Sequence, residues 1–270
     1  VHLFSIGYSL DDSELVARTI GRATALADGG HPAAAAIAAI GRSAVADYFG
    51  DFREALRLID DAPELATEEW AAIRAWMRAE LLESLGHPAA ALQTLEARAH
   101  RDAGLIGDQL AAARVQALWS AGRIEEAVED GLPALTGAQT CGSARTAQRA
   151  NALAARLHAH LGHEDAADEL LRAVYQYPAP DRVLERRRHV SRAVRHVLAG
   201  DETRAAAELA WLLDGGQVNT FLAAQKTVLR VLPLVYVLVP ATRARWDEAE
   251  LGPTFAGWRT LAKALVASRE

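Results

Sequence analysis

Tyr48-Phe49-Gly50-Asp51-Phe52-Arg53-Glu54-Ala55-Leu56 joins the end of one apolar segment to the start of the next. Gly50 closes a stretch of helical period, and Ala55, five residues on, sits early in the following one. The same pair returns at Gly86/Ala91, Gly122/Ala127, Gly162/Ala167 and Gly200/Ala205, with glycines 36, 36, 40 and 38 residues apart. A fixed period in this range is the signature of stacked two-helix units, each burying its apolar face on its neighbours.

Towards the N-terminus, Asp11 and Glu14 form a capping-box pattern before a helix expected over Asp12–Ala27. Asp28-Gly29-Gly30 ends it, and Pro32 opens the next helix, where a missing N–H is tolerated. Long helices are expected over Thr67–Leu85, Ile106–Ala121, Ser143–Leu161 and Asp181–Ala199. Their shorter partners are expected over Phe52–Asp60, Pro88–Arg101, Ile124–Leu135, Glu164–Gln176 and Glu202–Asp214. His31-Pro32-Ala33 and His87-Pro88-Ala89 repeat one turn chemistry, which points to a degenerate hairpin at the N-terminus. After Gly215-Gly216 the period fails. A long apolar helix interrupted at Pro233 is expected over Asn219–Val239, and a last amphipathic helix over Pro253–Arg269.

The chain of 270 residues is 51% hydrophobic and 24% charged, rich in alanine and poor in β-branched runs, which reads as all-α. A net charge of −6 argues against wholesale nucleic-acid binding by this segment. Cys141 is the single cysteine, so no disulfide framework exists and a reducing cytoplasm is expected. The longest apolar run, Val228–Val239, holds Arg230 and Pro233 and is too short for a membrane span, so no membrane partner is expected. Val1 at the start and Met77 as the single methionine suggest a piece excised from a longer protein.

The junction residues resemble the tetratricopeptide repeat family. That family has a Gly after its first helix, a small Ala five residues on, a small residue seven before and a large apolar residue nine after. The seven-before positions hold Ser43, Ala79, Val115, Ala155 and Ala193; the nine-after positions hold Ile59, Leu95, Gly131, Leu171 and Leu209. The chain departs from the pattern in lacking the first-helix aromatic pair and in placing Arg42, Arg78, Arg114 and Arg192 where the motif prefers Leu. With this texture it is similar to the repeat arms of LuxR-type and maltose-regulator-like STAND transcriptional regulators. The resemblance implies a right-handed α-solenoid of antiparallel hairpins. Residues 1–31 would form a degenerate cap, 32–214 five hairpins and 215–270 capping helices.

In this repeat class the long helices line the concave surface. Transferred here, that geometry gives a groove of Trp76, Glu80, Glu83, Gln116, Trp119, Arg149, Arg156, His160 and Arg187, grading from apolar and acidic to basic. Such a groove suits a protein or peptide segment with an acidic end, since guanidinium forks pair well with carboxylates. The same residues also fit a solvated face with incidental charge. The resemblance further implies covalently adjacent effector domains in a longer regulator. A small-molecule or oligosaccharide inducer is the alternative occupant.

Other constellations are weaker. Arg188, Arg192 and Arg195 share a helical face opposite Val190, Val194 and Val197, which reads as ordinary amphipathicity with a solvated basic side. His160, His163 and Glu164 share a helical face only if the helix runs through Gly162, where the repeat places a break, so no metal site is expected there. No Gly-rich phosphate loop or strand-based nucleophile turn is present, and no cofactor is expected. An α/α-barrel enzyme needs paired carboxylates in an aromatic-rich cavity, which 6% aromatic residues do not supply, so no enzymatic activity is expected.

Overall fold

The computed structural model describes residues 13–48, 50–65, 67–96, 107–133, 144–175, 182–214, 232–248 and 253–268. Every regular element among them is helical. The first six helices are α1 Ser13–Asp28, α2 Pro32–Tyr48, α3 Phe52–Asp60, α4 Glu68–Ser84, α5 Pro88–Glu96 and α6 Gly107–Ser120. Then come α7 Ile124–Glu126, which runs into a π turn at Ala127–Gly131, α8 Ala144–His160, α9 Glu164–Tyr175, α10 Arg182–Leu198 and α11 Glu202–Asp214. The series ends with α12 Leu232–Leu238, a 3-10 turn Pro240–Thr242, α13 Arg243–Glu248 and α14 Pro253–Ala267. The chain forms two compact units, Val1–Gly122 and Arg123–Glu270.

Each repeat glycine is a left-handed helix stop. Gly50, Gly86, Gly122, Gly162 and Gly200 have φ between 74° and 83°, and Gly30 at 83° adds a sixth. At Gly86 the amide donates to the Glu83 carbonyl at 3.0 Å, and the His87 amide reaches back to Leu82 at 2.8 Å. That pairing satisfies carbonyls the ending helix would otherwise leave orphaned. A side chain added at Gly86, Gly122, Gly162 or Gly200 would meet nothing within 4 Å, so the requirement is conformational rather than steric.

The next helix starts at once. The residue after Gly accepts from the alanine of the repeat: Ala55 to Asp51 at 2.9 Å, Ala91 to His87 at 3.1 Å, Ala205 to Asp201 at 3.0 Å. Ala55, Ala91, Ala127, Ala167 and Ala205 are all 0% exposed. Ser43, Ala79, Val115, Ala155 and Ala193, seven before the glycines, are at most 1% exposed. Small residues on both sides let the paired helices approach, and the Ser43 hydroxyl donates to the Ala55 carbonyl at 2.8 Å. Ile59, Leu95, Leu171 and Leu209 are buried nine residues after their glycines. The fifth such position is Gly131, also buried, and there the helix widens into its π turn. Each large buried side chain contributes roughly 1.5–3 kcal/mol of transfer free energy.

In the first unit α2 packs on α1 and α3, while α4 packs on α3, α5 and α6. In the second unit α8 packs on α9 and α10, and α10 on α9 and α11. The first helices α4 and α6, and likewise α8 and α10, therefore touch directly, and in each pair the registers differ by one residue. Ser120, two before Gly122, donates to the side chain of Glu83, three before Gly86. Ser191, nine before Gly200, donates at 2.8 Å to the carbonyl of Ala152, ten before Gly162.

Beyond α11 the packing changes. α12 lies on α14, and Trp246 of α13 is 1% exposed. Asp247 gathers the Tyr236 hydroxyl at 3.0 Å and the Lys263 ammonium at 2.8 Å, while the Arg259 guanidinium donates to the Trp246 carbonyl at 2.9 Å. The rest of the apolar helix expected over Asn219–Val239 lies outside the described residues, as do the Asp11 cap and Cys141. No described helix is long and apolar enough to cross a membrane.

Candidate functional site

In the first unit, α4 carries Trp76, Glu80 and Glu83 at successive turns, and α6 brings Gln116 and Trp119 alongside. The near-equal registers of α4 and α6 set Glu83 beside Ser120. Trp76, Glu80 and Trp119 are half-buried, whereas Glu83 is 4% and Gln116 8% exposed. The Glu83 carboxylate accepts from Ser120, and the Trp76 Nε1 is buried without an acceptor among the described residues. Of the expected first-unit residues, the two tryptophans and Glu80 thus keep surface that a partner could touch.

In the second unit, Arg156 of α8 is 5% exposed, and His160, one turn on, is half-buried. Burial, with the Arg156 guanidinium adding to it, holds His160 below its ordinary 6.5. The side chains of Arg149 and Arg187 lie outside the described residues.

Two arginines of the basic face of α10 are not solvated as its wheel suggests. Arg188 is 6% exposed, and the Arg195 side chain is 13% exposed between Glu164 at 2.9 Å and Asp168 at 3.2 Å. A wheel shows one helix, whereas α9 of the preceding hairpin brings two carboxylates onto Arg195. Val190, Val194 and Val197 are buried opposite, as the amphipathic pattern requires.

Two of the arginines eight residues before the glycines have partners across the next turn. Arg78, eight before Gly86, reaches Thr94 of its own hairpin at 3.0 Å and Asp60 of the previous one at 2.9 Å. Arg192, eight before Gly200, pairs with Glu208 at 2.9 Å. Glu208 also meets His189 Nδ1 at 2.6 Å, and the His189 ring stacks on Trp211 at 3.7 Å. Burial pushes Glu208 up, but the His189 hydrogen bond and the Arg192 charge outweigh it and leave the carboxyl below its ordinary 4.5. Thr94 and Glu208 each lie eight residues after their glycine. Counting equal distances either side of the turn would have found both pairs in the sequence.

Among the described residues no three His, Cys, Asp or Glu side chains converge as a metal centre. The Gly162 break interrupts the helix between His160 and His163. The expected groove residues present half-buried indole rings, carboxylate and imidazole, together with a buried guanidinium at Arg156. No protein-family model, curated protein or solved structure matches the chain.

Proposed function

We propose that the hairpins form a right-handed, tetratricopeptide-like solenoid whose first-helix faces bind a protein or peptide segment. In its full setting the chain would act as the sensor or scaffold arm of a cytoplasmic bacterial transcriptional regulator. Partner binding in the arm would then shift the equilibrium of the attached effector domains by its differential affinity for two states. The observation that carries this reading is the pair of half-buried tryptophans, Trp76 and Trp119, flanking Glu80 and the Glu83–Ser120 contact. Tryptophan is among the residues enriched where binding energy concentrates at protein interfaces. In the second unit the corresponding helix α8 carries the Arg156 guanidinium with His160 one turn on. A peptide segment with an acidic end suits the guanidinium side of such a face.

Thermal-shift screening of the 270-residue chain against peptides of graded charge, with oligosaccharides as a parallel arm, tests the reading. Stabilisation by a peptide that is lost in Trp119→Ala supports it. Stabilisation by oligosaccharides alone, or by no compound, overturns it.

A further inference from the structure

We propose that the hairpin turn at Gly162 is a surface site for a divalent late first-row metal ion, held between His158 Nδ1 and His163 Nδ1. The turn itself builds the site. The Gly162 amide donates to the Ala159 carbonyl at 3.1 Å and the His163 amide to the His158 carbonyl at 2.9 Å. This arrangement folds the side chain after the glycine back onto the one four residues before it, a contact that is ordinarily apolar. Here both positions are histidine. Their Nδ1 atoms stand 3.3 Å apart, with ring centroids at 5.6 Å and planes tilted by 40°.

That separation matches the edge of a tetrahedral site. With metal–nitrogen bonds of about 2.0–2.1 Å, two ligands at the tetrahedral angle lie roughly 3.3–3.4 Å apart. A small turn of each ring brings both lone pairs onto one point, and His163 is exposed, so nothing obstructs the motion. The equivalent pairs at the other turns are Leu26/His31, Ala46/Asp51, Leu82/His87, Leu118/Arg123 and His196/Asp201, none with two imidazoles.

The neighbouring donors are otherwise engaged. Glu164 is held by Arg195 at 2.9 Å, and His160 sits beside Arg156. No third protein ligand converges among the described residues, so water or a donor from another molecule completes the shell. Two imidazoles select Zn²⁺, Cu²⁺ or Ni²⁺ over the oxygen-seeking Mg²⁺ and Ca²⁺. The competing account of the 3.3 Å contact is a plain hydrogen bond, which needs a proton on one Nδ1. A chelate needs both nitrogens bare, with the protons on Nε2.

The experiment titrates ZnCl₂ into the 270-residue chain and follows imidazole nitrogens by NMR and heat by calorimetry. The His158 and His163 Nδ1 resonances are expected to move together by one equivalent, with His189 and His196 unmoved and MgCl₂ without effect. Loss of a mere supporting partner weakens a metal site about 10–100-fold, so His163→Gln, which removes a ligand, is expected to weaken Zn²⁺ by at least that much. The glutamine amide still hydrogen-bonds His158, and His163 is exposed, so the fold survives the change. Unchanged Zn²⁺ affinity in His163→Gln, or shifts confined to other histidines, overturns the proposal. Silence of His158 and His163 toward Zn²⁺ leaves the pair a hydrogen bond and does the same.

Discussion

The Glu83 carboxylate accepts a hydrogen bond from the Ser120 hydroxyl across the seam between α4 and α6, although Glu83 is only 4% exposed. A carboxylate this deep depends on every donor it has. Ser120→Ala removes one and is expected to lower stability by about 1–3 kcal/mol. Ser120→Thr keeps the donor and is expected to retain most of it. Urea unfolding of the two variants checks this, and equal midpoints would show the contact to be idle.

The repeat turns separate conformational from packing cost. Gly86 has φ of 83° with open space where a side chain would go, so Gly86→Ala pays only the left-handed backbone, about 1–2 kcal/mol. Ala91 is 0% exposed, and Ala91→Leu forces extra methylenes into the helix pair at about 1–3 kcal/mol or more. Thermal melts are expected to place Ala91→Leu below Gly86→Ala.

Gly41 marks a close approach of a different kind. A Cβ there would lie 2.7 Å from Ile20 Cγ1, where α1 crosses α2. Ala is favoured over Gly inside a helix by about 1 kcal/mol, yet Gly41→Ala is expected to bring no gain because of this clash. Ile20→Ala removes the clashing atom, so a double-mutant cycle is expected to show coupling of about 0.5 kcal/mol or more. Additive effects would deny the contact.

Acid acts in two stages. Burial holds His158, His160 and His196 below 6.5, the neighbouring His163 and Arg156 adding to it in the first two. Their neutral forms favour the fold, so stability is full above about pH 6.5 and begins to fall as pH drops below it. Glu208, below 4.5, and Asp247, held below 3.8 chiefly by its Lys263 hydrogen bond, contribute stability that is lost at still lower pH. His160→Gln is expected to flatten the upper stage and Glu208→Gln the lower, read from urea midpoints between pH 7 and pH 3. A profile with one stage, unchanged by either variant, contradicts the assignment.

Much of the fold was legible because each repeat glycine marks a helix end. α4, α6, α8 and α10 end one residue inside the expected spans, since a left-handed stop is a local event. The burial of Glu83, Gln116 and Arg156 was not legible, because it is set by helices of neighbouring hairpins rather than by the residue's own helical face. The His158–His163 contact escaped for a related reason. Helical geometry assumes the helix continues, while the turn at Gly162 brings together two side chains that a continuous helix would separate.

The indole N–H resonances test the central claim most directly. On titration with the peptide that most stabilises the chain, those of Trp76 and Trp119 are expected to shift in proportion to occupancy, with buried Trp246 unmoved. Shifts at exposed Trp211 alone, or at no tryptophan while the peptide is bound, would contradict recognition by the α4–α6 face.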